Sequence, residues 1–289
     1  MKKLIISLAI AGTTTIIGAQ TLKTYACGVS RVAFMHELNS AFEKKFNVKT
    51  TMNNKGGDLF VIAGIKKGDA DVGSGCRESL ETLKSEQGVS SIQVAWGALA
   101  FIVNPQNKLD NITPSQIKKV LIGQITNWKE LGGDDKPIHL IVRNSNLSGI
   151  GLSARETLFK NQDEDFYSKA KQVKSSGFVR EAVASDPLAF AIDNTISSGK
   201  TKNVKMLKVN GIEPTKENIL SNKYKMRQAL YLYLPKNASK MANDFVKFAL
   251  SKEGQAIISK TGTANLAEAS GKEDKDNYII QNLLMDLQE

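Results

Sequence analysis

Two long β-forming runs, residues 92–103 and 227–234, bracket the middle of this 289-residue chain. The first is rich in Val, Ile, Phe and Ala and is broken by Gly97, so it reads as a strand and not a helix. Shorter strand patterns alternate with helix patterns on both sides of the two runs. Strand–helix alternation over most of a chain requires parallel pairing through helical crossovers, which is the α/β class. Two long runs far apart in sequence predict two hinge strands joining two lobes, each a mixed, mostly parallel sheet with flanking helices. The expected division is residues 20–98 with 233–289 as a discontinuous first lobe, and 99–232 as a continuous second lobe.

Strands are expected at 21–26, 47–52, 70–74, 137–142, 188–192 and 204–209. Val32, Met35, Leu38, Phe42 and Phe46 recur at helical spacing, predicting a helix over 30–46. Further helices are expected at 58–67, 149–160, 164–173, 177–184, 238–250 and 252–260. Thr113-Pro114-Ser115-Gln116 places a cap, a proline at the first helical position and a capping-box acceptor in order, and Gly123 closes that helix.

Residues 1–19 read as an export signal: Lys2 and Lys3, then a largely apolar run, then Gly18-Ala19 before Gln20. The apolar run is short and interrupted by Thr13-Thr14-Thr15, which argues against a membrane anchor. Cleavage near Ala19 would place the mature protein in the periplasm. The full chain carries a formal charge of +10, and without Lys2 and Lys3 the balance is 37 basic to 29 acidic residues, or +8. A basic surface favours anions. The basic residues are scattered and lack an interleaved aromatic platform, so nucleic acid is not expected as a partner. Cys27 and Cys76 each follow a strand pattern, and in an exported protein a Cys27–Cys76 disulfide stands beside the alternative of two buried thiols.

The clearest site signal is a strand ending in Arg143, followed by Ser148-Gly149 at a helix start. A guanidinium beside free helix N–H groups and the positive end of a helix dipole suits a small oxyanion.

Several stretches in order resemble the phosphate-binding proteins of bacterial ABC importers, which are bilobed type II periplasmic binding proteins. They are Gly28-Val29-Ser30-Arg31-Val32, Lys67 to Gly73 followed by Arg77-Glu78, Ile102-Val103-Asn104-Pro105, and Leu121 to Gly133. Arg143 with Ser148-Gly149 and Tyr231-Leu232-Tyr233-Leu234 complete the set. The most specific is Ile125-Thr126-Asn127-Trp128-Lys129-Glu130-Leu131-Gly132-Gly133. The resemblance implies capture of inorganic phosphate, or a similar tetrahedral oxyanion, by groups at helix N-termini of both lobes. It also implies delivery to ABC transporter permease subunits, a monomer, and no cofactor. Ser30, Arg31, Gly57, Asp58, Ser74 and Cys76 would come from one lobe, and Arg143, Ser148 and Gly149 from the other. Four positions depart from the family pattern. Asp58 stands where Ser is usual, Arg31 where a small or apolar residue is frequent, Cys76 where Ser or Asp is usual, and Ile150 where a hydroxyl residue follows Ser-Gly. A carboxylate facing an anion repels it, so Asp58 is expected to pair with Arg31 or Arg77, or to cap its own helix; otherwise the ligand differs from phosphate. The same fold serving another anion or small metabolite, as a sensor partner or surface antigen, is the alternative. No enzyme is expected: His36 and His139 suggest no metal pair, and no nucleophile-elbow or zinc-helix pattern occurs.

Overall fold

The computed structural model describes residues 21–53 and 55–269. The expected export signal at residues 1–19 lies outside the described residues, as does the tail from 271 onward. In chain order the strands are β1 (Thr21–Ala26), β2 (Lys49–Asn53), β3 (Val72–Gly75), β4 (Val89–Val103), β5 (Asn111–Ile112), β6 (His139–Arg143), β7 (Lys171–Val173), β8 (Ala189–Asn194), β9 (Lys205–Met206), β10 (Lys208–Val209), β11 (Arg227–Pro235) and β12 (Ala264–Asn265). The main sheet runs β2-β1-β3-β11-β4-β8-β6-β7, with β9 and β12 paired to β4; β5 and β10 form a small separate pair.

The 15-residue strand β4 organises the molecule. Its first part pairs antiparallel with all of β11, from Pro235 opposite Val89 to Arg227 opposite Ala98. Its last five residues, Leu99 to Val103, pair antiparallel with β8. At either end of the sheet the strands run parallel, β1 with β2 and β3 on one side and β6 with β7 and β8 on the other. Helices cover both parts. Asp58–Lys67 packs its buried Val61, Ile62 and Ile65 inward, and Gly68 ends it in the left-handed conformation at φ 78°. In the helix His36–Phe46, Phe42 meets Phe245 and Phe248 of the helix Lys240–Leu250 at ring centroid distances of 5.1 and 5.8 Å.

Thr113 caps Pro114–Leu121 as its sequence predicts. The Gln116 amide donates to Thr113 Oγ1 at 3.2 Å, and the Thr113 amide donates to Gln116 Oε1 at 2.9 Å. A cap of this kind contributes about 1 kcal/mol.

Four local expectations change, the first being the helix expected at 149–160, which is α-helical over Gly149–Ala154 and a π-turn over Arg155–Phe159. Residues 164–173 are not a helix: Lys171–Val173 pairs parallel with β6, and Tyr167 donates its amide to Leu121 O at 2.7 Å. Tertiary pairing and the anchoring of Phe166 under Arg155, 3.8 Å from its guanidinium carbon, override a weak local pattern. The segment 30–46 holds a π-turn, Arg31–Met35, between two α-helical pieces. The expected strand at 204–209 splits into β9 and β10 around buried Leu207.

Candidate functional site: an anion seat holding a carboxylate

The register of β1 on β3, with Ala26 opposite Ser74, brings the chain ends after both strands to one edge of the sheet. Cys27 caps the first helical turn there, its sulfur accepting from the Ser30 amide at 3.5 Å. The Ser30 and Ser74 hydroxyl oxygens lie 2.8 Å apart, and both residues are fully buried. Gly57 is the N-cap of Asp58–Lys67, and its closeness to the Arg143 guanidinium puts the start of that helix at the same place. From the other part of the sheet come Arg143, at the end of β6, and Ser148, which caps Gly149–Ala154 by accepting from the Gly151 amide at 3.2 Å.

Asp58 sits in the centre and is only 2 % exposed. The Cys76 amide donates to its Oδ1 at 2.6 Å, and the Gly149 amide donates to its Oδ2 at 3.2 Å. The Cys76 thiol lies 3.7 Å from Oδ2. Tyr233 places its hydroxyl 3.3 Å from Oδ1 but donates its proton to Arg77 O at 2.6 Å. The helix-start amide of Gly149 and the Cys76 amide just past β3, both expected to meet a free oxyanion, thus hold a carboxylate supplied by the chain itself. This differs from both simple expectations for Asp58. It stands at the first position of its helix with Gly57 as the cap, and among the described residues no ion pair joins it to Arg31 or Arg77.

The Arg77 guanidinium is committed elsewhere. It forms a two-pronged pair with Glu86, at 2.5 and 2.8 Å, with side-chain exposures of 2 % and 3 %. Burial works against its charge, but Glu86 outweighs burial and raises its pKa. Its Nε donates to Leu147 O at 2.8 Å and so steadies the loop before Ser148.

Arg143 is the remaining cation at the seat. One terminal nitrogen donates to Lys174 O at 2.7 Å and lies 2.9 Å from where a Cβ on Gly57 would stand. Its Nε is buried without a hydrogen-bond partner. Gly57 lets the guanidinium approach the helix start this closely, and Gly149 does the same for the carboxylate. A Cβ on Gly149 would stand 2.5 Å from Cys76 Sγ and 2.7 Å from Asp58 Oδ2.

Ser30, Gly57, Asp58, Ser74, Cys76, Arg143, Ser148 and Gly149 therefore converge. Arg31 does not join them through any ion pair among the described residues; it lies half-buried on the π-turn. Tyr233 belongs to the group and was not expected; Gly75 lies within the expected stretch from Ser74 to Cys76. A Cβ on Gly75 would collide with Tyr233 Oη and Asp58 Oδ1, so glycine is required there by close approach. Burial, then the charge of Asp58, raises the Tyr233 pKa well above its ordinary value.

Of the two alternatives for the cysteines, the structure has the second: Cys27 and Cys76 are both buried and both free. Cys27 follows Ala26 directly, whereas Cys76 lies two residues beyond Ser74, so the paired strands set the two cysteines out of step by one residue. The sulfurs and an Asp58 oxygen still lie within 4.8 Å of one another. A hydrogen bond with Cys27, then burial, then the nearby Asp58 charge raise the Cys76 thiol pKa well above its usual value. Alkylation of unfolded protein without reductant should label two cysteines; a mass showing none labelled would establish the bridge instead.

A sheet in two parts sharing a long strand, with helix starts from both parts meeting around Asp58, has the architecture of a bilobed type II periplasmic binding protein. A model of the PBP superfamily domain matches residues 11–253, and the chain belongs to that superfamily. The chain is 36 % identical over 188 residues to the phosphate-binding protein PstS of Borreliella burgdorferi, spanning 61 % of this chain and 66 % of that relative. It is 24 % identical over 254 residues to PstS of Bacillus subtilis, spanning 86 % of this chain and 78 % of the relative. Among solved structures, one from Clostridium perfringens, described as a phosphate ABC transporter substrate-binding protein with phosphate bound, superposes with a TM-score of 0.76. It shares 26 % identity and covers 86 % of this chain and all of its own. PstS from Borrelia burgdorferi superposes with a TM-score of 0.52 at 28 % identity, covering 85 % of this chain and 98 % of that one.

Proposed function

We propose that this protein captures phosphate, or a tetrahedral oxyanion like it, between its two lobes and delivers it to the permease subunits of an ABC importer. The observation that carries the reading is the approach of the Arg143 guanidinium to Gly57 at the start of Asp58–Lys67, beside the Asp58 carboxylate to which the Gly149 amide, at the start of Gly149–Ala154, donates. A dehydrated oxyanion must regain the hydrogen bonds it loses on leaving water, and this seat offers backbone amides, the hydroxyls of Ser30, Ser74 and Ser148, and one fixed cation. The PstS relatives and the phosphate-bound neighbour support the ligand class.

The lobes are read as residues 20–98 with 233–289, and 99–232. The pairing of β11 with β4 over its whole length favours placing the second crossing just before Arg227. Export through the sequence at residues 1–19 and work as a periplasmic monomer complete the proposal. Binding, not turnover, is the proposed activity.

Asp58 favours a second reading. Its carboxylate occupies the donors a free anion needs, so entry of phosphate requires Asp58 to release the Gly149 amide or to take a proton. A ligand that tolerates or recruits a carboxylate would be a different anion or a small polar metabolite, sensed or displayed instead of imported. Isothermal titration with phosphate, sulfate, molybdate and citrate decides between them. Heat from phosphate at micromolar concentration is expected; silence toward phosphate with a response to another ligand would transfer the assignment.

A further inference from the structure

The geometry points to a second binding capacity at this seat: Cys27, Cys76 and Asp58 form a site for a thiophilic divalent cation of the zinc class. The three residues are fully buried, and one ligand atom from each lies within 4.8 Å of the others. Zinc binds thiolate sulfur at about 2.3 Å and carboxylate oxygen at about 2.0–2.2 Å, so a tetrahedral ion separates a sulfur from an oxygen ligand by about 3.5 Å. Cys76 Sγ and Asp58 Oδ2 lie 3.7 Å apart. Little movement is needed to admit the ion between them.

The surroundings fit a ligand set that must hold its shape. The Ser30 amide and hydroxyl point to Cys27 Sγ at 3.5 and 3.4 Å, which suits a thiolate. The Cys76 amide fixes Asp58 Oδ1 at 2.6 Å, while Oδ2, which accepts from the Gly149 amide at 3.2 Å, faces Cys76 Sγ. Such outer contacts orient ligands and tune affinity. Two thiolates select against magnesium and calcium, which prefer all-oxygen shells. Binding releases the two thiol protons to solvent, and the bound set carries three negative charges. The ion's two positive charges and the Arg143 guanidinium balance them. A cleft lined by Cys76, Arg77, Ser153, Gln228 and Tyr231 opens beside one member of the cluster.

The arrangement also answers a difficulty in the anion reading. A carboxylate among anion donors opposes an incoming anion; a cation on Oδ2 would neutralise it and free the Gly149 amide. With three protein ligands the ion keeps a fourth position for an exogenous oxygen.

The test is titration of the reduced mature protein with Cd2+ in the absence of oxygen, following the ultraviolet thiolate-to-cadmium charge-transfer band, with Zn2+ and Mg2+ as competitors. One equivalent of Cd2+ with a saturating band is expected, displaced by Zn2+ and untouched by Mg2+. Cys76→Ser and Cys27→Ser should each lose most of the band, and Asp58→Asn should weaken binding by at least about tenfold, no less than loss of an outer-shell partner does. No charge-transfer band at one equivalent on the unsubstituted protein would overturn the site, whatever the variants do. A band that survives in both cysteine variants would overturn it equally. Phosphate is titrated separately into metal-free and Cd2+-loaded protein: a cadmium band with no phosphate response in either form defeats only the phosphate reading, and a phosphate response with no cadmium band defeats only the metal site.

Discussion

Glu86→Ala is expected to lower the stability of the folded protein by about 3–5 kcal/mol, because it strands the Arg77 guanidinium in the interior. The pair is almost wholly out of water, with side-chain exposures of 2 % and 3 %, and Glu86 also accepts from the Leu80 amide at 2.8 Å. What makes the loss large is less the attraction removed than the charge left without a partner. The Lys108–Asp134 pair is the internal control, since its side chains are 79 % and 52 % exposed. Lys108→Ala should change stability by no more than about 1 kcal/mol, as screened surface pairs do. Urea denaturation of both variants makes the comparison; equal midpoints would show that Arg77 reaches water when Glu86 is gone. Because Arg77 also holds Leu147 O, the Glu86 variant should loosen the turn that presents Ser148 and Gly149, and should bind anions more weakly even where it remains folded.

Arg143→Ala should weaken oxyanion binding at least tenfold, a factor that corresponds to about 1.4 kcal/mol. A charge-assisted hydrogen bond contributes about 1.5–3 kcal/mol, against about 1 for a neutral donor, so the guanidinium outweighs any single amide in the seat. Arg77 cannot substitute, because Glu86, Leu147 O and Glu78 O take its donors. Arg143→Lys should recover part of the loss, restoring charge without the planar fork. Calorimetry of both variants tests this, and unchanged affinity in the alanine variant would remove Arg143 from the ligand set.

The parts of the fold that depend on neighbours in sequence were legible beforehand. The Thr113–Gln116 capping box, the β-character of 92–103 and the seating of Arg143 at a strand end with Ser148 capping the next helix are all local. Segment 164–173 was not legible, because pairing of Lys171 with Ile141 decides it and no local pattern announces that contact. Asp58 shows the limit most clearly. Its position at a helix start could be read directly, but its partners Gly149 and Tyr233 lie 91 and 175 residues away. A carboxylate at a helix start reads as ordinary dipole complementarity; only the folded chain reveals that it spans the two parts of the sheet. For the cysteines, strand proximity was legible and left bridge and buried thiols both open; the one-residue offset comes from the register of β1 on β3, which no local pattern announces.

Strand β4 carries a consequence for anyone wishing to take the molecule apart. The stretch from Val89 to Ala98 is stitched to β11 and the stretch from Leu99 to Val103 to β8, with no loop between them. Excising residues 99–226 as a fragment would sever a continuous ribbon and bare its unpaired edge, inviting self-association. Dissection of this protein is better done by single substitutions in the intact chain, and any swing of one half against the other must be accommodated as torsion along that shared ribbon.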